Sequence, residues 1–284
     1  MADIHVFIGP SLPMAEARNV LDAVYHPPAA ATDILNLVAL EPSAIVLIDG
    51  VFEQVPSVRH KEILHALSRG IRIFGASSMG ALRAMEMHPY GMEGVGRVFE
   101  MYRSGEIEDD DEVVLSHADA SLGFRPVSEA MVNLREGLAA AERAGAIGAT
   151  SRDVLAKAAK RLFYAERSWP AVFRLAESLE VPAAERTALK VFVAEHRPNV
   201  KRDDALRVLR LVAEERQRGL LQVDGVIGNA GGFELFHEIR PDLVVAAAVL
   251  RRVPWLQLHG KRGSDHGFLL RRHLLPFIAA SNKF

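Results

Sequence analysis

The stretch GIRIFGASSMGALRAMEM, residues 70–87, carries two structural signals back to back. Ile71 to Phe74 is short, branched and apolar with little alternation, the pattern of a strand covered on both faces. The segment from Met79 onward is built from helix formers. Between them Gly75, Ala76, Ser77 and Ser78 are all small, so the chain is expected to turn sharply from strand to helix. Outward from this unit, IHVFI (Ile4 to Ile8) and AIVLI (Ala44 to Ile48) repeat the strand signal. Met14 to Val24 after Pro13, and Ser57 to Arg69 before Gly70, read as helices. The alternation predicts an α/β fold: a three-layer α/β/α domain whose right-handed crossovers make the sheet largely parallel.

The character changes after about residue 125. LREGLAAAERAGAIGA, SRDVLAKAAKRLFY, PAAERTALKVFVAEH and KRDDALRVLRLVAEERQRG are rich in Ala, Leu, Glu and Arg, with apolar residues three and four apart. The expected division is an α/β core domain over 1–130 and a mostly helical region over 131–284. That region is either a domain of its own or a set of helices covering the first. IGNAGGFELFHEIRPDLVVAAAVLRRVP reads as loop then helix, and RRHLLPFIAASNKF as a short helix and tail.

Bulk properties narrow the functional classes. With 284 residues, 49% of them hydrophobic, the chain can bury one good core and a smaller second one. Its 25% of charged residues sum to a net charge of -2, so no field of one sign invites nucleic acid or an anionic membrane. Cysteine is absent, which rules out disulfides, thiolate nucleophiles and cysteine-held metal. MADIHVFIGP does not read as a secretory signal, and LVVAAAVL falls far short of the roughly 20 residues of a membrane-spanning helix. A cytoplasmic location is expected.

In a parallel sheet, the residues past the C-terminal strand ends share one rim, where α/β proteins bind ligands. Here those ends hold Gly9, Pro10 and Ser11; Asp49 and Gly50; and Gly75 to Ser78. Ala76-Ser77-Ser78-Met79-Gly80 is a loose form of the G-x-S-x-G nucleophile elbow, which would lift Ser78 beside free helix N–H groups. Ser77 could equally be a plain helix cap. For a base, His60 and His117 are the candidates; His88 lies near the far end of the same helix, roughly 15 Å away by helical rise. Asp49 could orient a histidine or hold a loop through backbone N–H groups. Arg83 and Glu86 could pair, or Arg83 could grip a substrate carboxylate. Lys61 and Glu62 are further polar groups near the rim.

GEIEDDDEV (Gly105 to Val113) lacks the spacing of a calcium loop and reads either as a solvated face or as a docking patch for a basic partner. GMEGVG reads as following a helix, which argues against a phosphate loop, and no nucleotide-binding motif occurs elsewhere. No metal and no cofactor is expected.

Three segments, IVLIDGVFEQVPSVRHKEILHAL, GIRIFGASSMGALRAMEM and GMEGVGRVFEMYRSGEIEDDDEVVLSH, resemble the TfuA-like core domain, and GPSL at Gly9 to Leu12 is similar to that family's opening motif. The resemblance covers about the first 120 to 135 residues. It implies work beside a YcaO-family protein in ATP-dependent peptide thioamidation, with sulfur drawn from the C-terminal thiocarboxylate of a ThiS-like carrier. Ser11, Asp49, His60, Lys61, Glu62, Ser77, Ser78, Arg83 and Glu86 lie in its matched motifs. On the physical reading Ser78 is the reactive hydroxyl, His60 or His117 moves the proton, and Asp49 supports them. Gly9, Gly50, Met79 and Gly80 complete the rim that would receive the carrier tail. The competing implication is a non-catalytic adaptor that docks carrier onto YcaO; a homo-oligomer is left open.

Overall fold

The computed structural model describes residues 3–53 and 55–221. The two segments read above as loop and helix beyond residue 221 lie outside the described residues. Five parallel strands form one sheet: β1 (Ile4–Phe7), β2 (Val24–His26), β3 (Ala44–Leu47), β4 (Arg72–Ala76) and β5 (Glu93–Val95), in the order β2-β1-β3-β4-β5. The interleaved helices are α1 (Met14–Arg18), α2 (Asp33–Val38), α3 (His60–Ser68), α4 (Met79–Met87) and α5 (Arg97–Ser104). Then come α6 (Met131–Arg143), α7 (Ala149–Lys160), α8 (Trp169–Ser178), α9 (Ala183–His196) and α10 (Val200–Gln217).

Alternate strand residues supply two faces. Phe7, Ile45, Leu47 and Ile73 pack with α2 to α5, whereas Val6, Val46, Ile48 and Phe74 pack with Ala17 of α1 and with Ala205, Leu209 and Val212 of α10. Both faces are therefore covered, which is why the central strands read as apolar runs rather than alternating ones. The outer helical layer on the second face is completed by a helix that follows β5 by about a hundred residues. A third cluster, with Leu134, Leu138, Leu155, Val172 and Leu189, joins α6 to α9.

Two expectations are corrected here. The helix starting at Met14 ends at Arg18, not Val24, and Val24–His26 is an edge strand registered on His5 to Phe7. Tyr25 from that strand donates its hydroxyl hydrogen bonds to the carbonyls of Ala17 and Leu21, occupying acceptors that a longer helix would have used internally. GMEGVG does not follow a helix directly: it contains β5 and leads into α5. Gly96 has φ 99°, and the Asp204 carboxylate accepts hydrogen bonds from Arg97 N and Val98 N at 2.8 Å each. The anion-binding end of α5 is thus filled by a side chain of this chain's own α10.

The β4–α4 joint is set by contact distance. A Cβ on Gly80 would stand 1.8 Å from the Leu47 carbonyl oxygen, and one on Gly75 would stand 2.2 Å from the Gly80 oxygen. The helix therefore rests directly on the backbones of β3 and β4, and Gly80 N donates to the Ile48 carbonyl at 3.2 Å. Gly80→Ala would force α4 away from the sheet. We expect a loss of about 1–3 kcal/mol or more, measured by urea unfolding, against a near-neutral change for an alanine at the exposed Glu100.

Candidate functional site

The strand order makes the winding of the chain reverse between β1 and β3, the place where doubly wound sheets open a crevice at their carboxyl edge. Asp49 closes the floor of that crevice. It is 1% exposed; its Oδ2 accepts from Gly9 N at 2.8 Å and Ser11 N at 3.1 Å, and its Oδ1 from the Ser11 hydroxyl at 2.6 Å. Of the roles open to it, Asp49 performs the loop-holding one. Ser11 is its partner.

The strand-to-helix turn is tighter than a plain cap. Ser78 N donates to the Ala76 carbonyl at 2.8 Å across Ser77, whose φ of 70° gives a γ-turn of the strained, positive-φ kind. The strain thus sits one residue before the serine that faces the rim. Ser77 is fully buried, and its hydroxyl has no hydrogen-bond partner. Ser78 is the N-cap of α4 in position, yet its side chain does not cap the helix. Instead it lines a cleft of about 160 Å³ with Pro10, Asp49, Gly50, His117 and Lys201.

The cleft continues past Phe52, Glu53, Val114 and Tyr164 into a second hollow of about 200 Å³ bordered by Ser57 and Asp110. Tyr164, from the segment between α7 and α8, donates its hydroxyl to Glu53 Oε2 at 2.8 Å at the shared boundary. Of the two candidate histidines, His117 lines the cleft; its Nδ1 lies 2.7 Å from the Ala118 carbonyl.

His60 belongs to a different group. Its Nε2 lies 2.8 Å from Glu86 Oε2, and that oxygen also receives Arg83 Nη1 at 2.7 Å. Arg83 further donates to the Val58 carbonyl and the Ser57 hydroxyl, so its guanidinium braces the loop ahead of α3 and pairs with Glu86. Burial of Glu86 works against its charge, but the His60 hydrogen bond and the Arg83 charge outweigh it and hold its pKa below the ordinary value. Glu62 caps α3 by accepting from Arg59 N, and Lys61 points outward beside it. Of the rim glycines, Gly50 lines the cleft, Gly9 packs on Pro28, and Gly80 lies against the strand backbone beneath. Met79, next to Ser78, is buried over Gly50.

Sequence reading missed Lys201 and Tyr164. Lys201 looked like one charge among many at the start of a polar helix, NVKRDD, yet it is 1% exposed. Burial pushes its pKa down, while the charges of Asp49 and Glu129 pull the other way.

The acidic stretch is neither a solvated face nor a free patch. Lys160 Nζ contacts Asp109, Asp111 and Glu112; Arg167, itself 1% exposed, binds Asp111; and Arg135 grips both oxygens of Glu112 at 2.8 Å. Oxygens of Asp109, Asp111 and Glu112 lie within 4.8 Å of one another, and the Lys160 ammonium occupies their midst.

These features define a doubly wound parallel α/β protein with a narrow polar cleft at its switch point. A family model described as TfuA-like protein matches residues 49–168. The chain carries a TfuA-like domain across that span, which starts and ends later than the resemblance drawn from the sequence and leaves GPSL outside it. No curated protein matches the chain. The kinship supports a role connected with YcaO partnership in thioamidation. Among the described residues no helix is long and apolar enough to cross a membrane.

The acidic network gives a pH prediction. Burial opposes ionisation of Asp111, but hydrogen bonds and charge from Lys160 and Arg167 prevail and lower its pKa from 3.8. Its stabilising contribution is therefore complete above the unfolded value and lost as pH falls through the lower native one. Asp111→Asn should lower the melting temperature clearly at pH 7 and progressively less toward pH 2. A gap that stayed constant with pH would contradict the assignment.

Proposed function

We propose that this protein hydrolyses the C-terminal thiocarboxylate of a ThiS-like sulfur carrier and supplies the sulfide to a YcaO-family protein for ATP-dependent backbone thioamidation. The observation that carries the reading is the Ser78 side chain, presented by a strained turn into a cleft at the sheet's switch point. At about 160 Å³ that cleft is smaller than the roughly 300 Å³ and upward typical of pockets for compact ligands. A flexible chain end without bulky side groups suits it.

The surrounding groups fit acyl chemistry. Among the described residues, the N–H groups of Gly50 and Met79 donate to no acceptor, whereas Gly80 N is taken by the Ile48 carbonyl. Two such donors flanking Ser78 support an oxyanion on the thioacyl carbon, one of them from the residue just after the nucleophile, as in an elbow. Asp49 holds the Gly9–Ser11 loop against the floor and so fixes the opposite wall. His117 is the histidine placed to move a proton between the cleft and solvent.

The adaptor reading drew on the acidic stretch as a docking surface. Its carboxylates are held by Lys160, Arg167 and Arg135 within the chain, which weakens that support. The deciding experiment mixes purified protein with thiocarboxylated carrier in the absence of YcaO and follows sulfide and regenerated carboxylate. Release is expected, and Ser78→Ala should reduce it about 100-fold or more with carrier affinity retained. Tight binding with no release by the wild-type chain would favour the adaptor.

A further inference from the structure

Lys201 opens α10, and its side chain reaches under the sheet rim to line the Ser78 cleft. Its amine donates to the Val113 carbonyl at 2.7 Å, its one hydrogen bond among the described residues, and no carboxylate forms an ion pair with it there. The nearby acids are engaged elsewhere. Asp49 serves Gly9 and Ser11, and Glu129 accepts from Asn133 Nδ2 at 2.6 Å and from Ala130 N. Asn133 in turn accepts from Lys201 N, which fixes where the helix begins.

A lysine enclosed this way without a paired anion is costly as an ammonium and is held more readily as a neutral amine. A structural lysine of this kind is ordinarily paired. A neutral amine beside a serine hydroxyl is the arrangement of serine–lysine nucleophile pairs.

We propose that Lys201 is the base that receives the Ser78 proton and delivers it to the departing sulfur; this rests on the hydrolase reading above. The thiocarboxylate is an anion at neutral pH, so its sulfur cannot leave as a bare dianion. Ser78 Oγ forms a bond to the thioacyl carbon as its proton passes to the Lys201 amine. The C–S bond then breaks, and the ammonium returns that proton to sulfur, giving hydrosulfide and an acyl-serine. Water attacks the ester and the C–Oγ bond breaks. One water proton restores the Ser78 hydroxyl and the other leaves with the carboxylate product. No oxidant or metal enters the balance. The groups that bias Lys201 are Asp49 after β3, Glu129 before α6, the Val113 carbonyl and, across the cleft, His117.

The test follows single-turnover sulfide release between pH 6 and 10 for wild type, Lys201→Met and Lys201→Arg, all full chain. We expect Lys201→Met to lower the rate about 100-fold or more with little change in carrier affinity, and Lys201→Arg not to rescue it, because a guanidinium stays protonated. The wild-type profile should rise to a plateau below the ordinary lysine value of about 10.4, and this inflection should vanish in Lys201→Met. Should Lys201→Met fail to fold, Lys201→Gln keeps a donor to the Val113 carbonyl and takes its place. Near-wild-type release by a folded Lys201 variant overturns the role of Lys201 and leaves the hydrolase standing. If the wild-type chain releases no sulfide, the hydrolase reading fails by itself. Labelling of Ser78 by a fluorophosphonate, read by mass, then decides the pair: dependence on Lys201 upholds it, and equal or absent labelling overturns it.

Discussion

The contact on which this architecture turns is that between the first turn of α4 and the backbone of β3. Because residue 80 is a glycine, the helix can settle until its own main chain meets the Leu47 carbonyl, with Gly75 allowing the same approach from β4. That depth determines the angle at which the chain must leave the strand. It forces Ser77 into a left-handed conformation and turns Ser78 toward the rim. A helix seated farther out would need no strained residue and would leave the same serine as an ordinary cap. Packing beneath the sheet edge thus dictates the chemistry above it.

Much of this was legible because the central strands are buried on both sides and so consist of unbroken apolar residues. β1, β3 and β4 were recognisable for that reason. β2 and β5 were not, since VYH and EGV are three-residue edge strands, none of whose residues is fully buried, and carry no apolar run. Their existence depends on pairing with a neighbour, which no local pattern records. Asp49 and Ser78 were visible as polar interruptions at strand ends. The partition between the histidines was not, because it depends on which loop folds over which strand: His117 reaches the cleft, and His60 is claimed by Glu86.

The same distinction explains the charged segments. A run of acidic residues in sequence says how much charge is present and nothing about what neutralises it. Here the neutralising groups come from α6, α7 and the turn before α8, some twenty to sixty residues later, so a stretch that looked like an outward surface is a joint between the sheet domain and the helices after it. Lys201 is the converse case. Its neighbours Arg202 and Asp203 are partly or fully exposed and make the whole segment look solvent-facing, while the one inward position carries an amine through the wall of the domain.

The borders of the family match and the borders of the cleft do not coincide. The match begins at the very carboxylate that ties the Gly9 loop in place and stops before α10, so a protein trimmed to 49–168 would lose the first strand, the amides that Asp49 binds, and the amine at the cleft floor. Buried strands would become bare edges, open to pairing with other chains. A shortened version made for crystallisation or fusion should therefore reach from the first strand through the last sheet-covering helix. What sequence kinship delimits as one unit is, physically, the middle of a larger one.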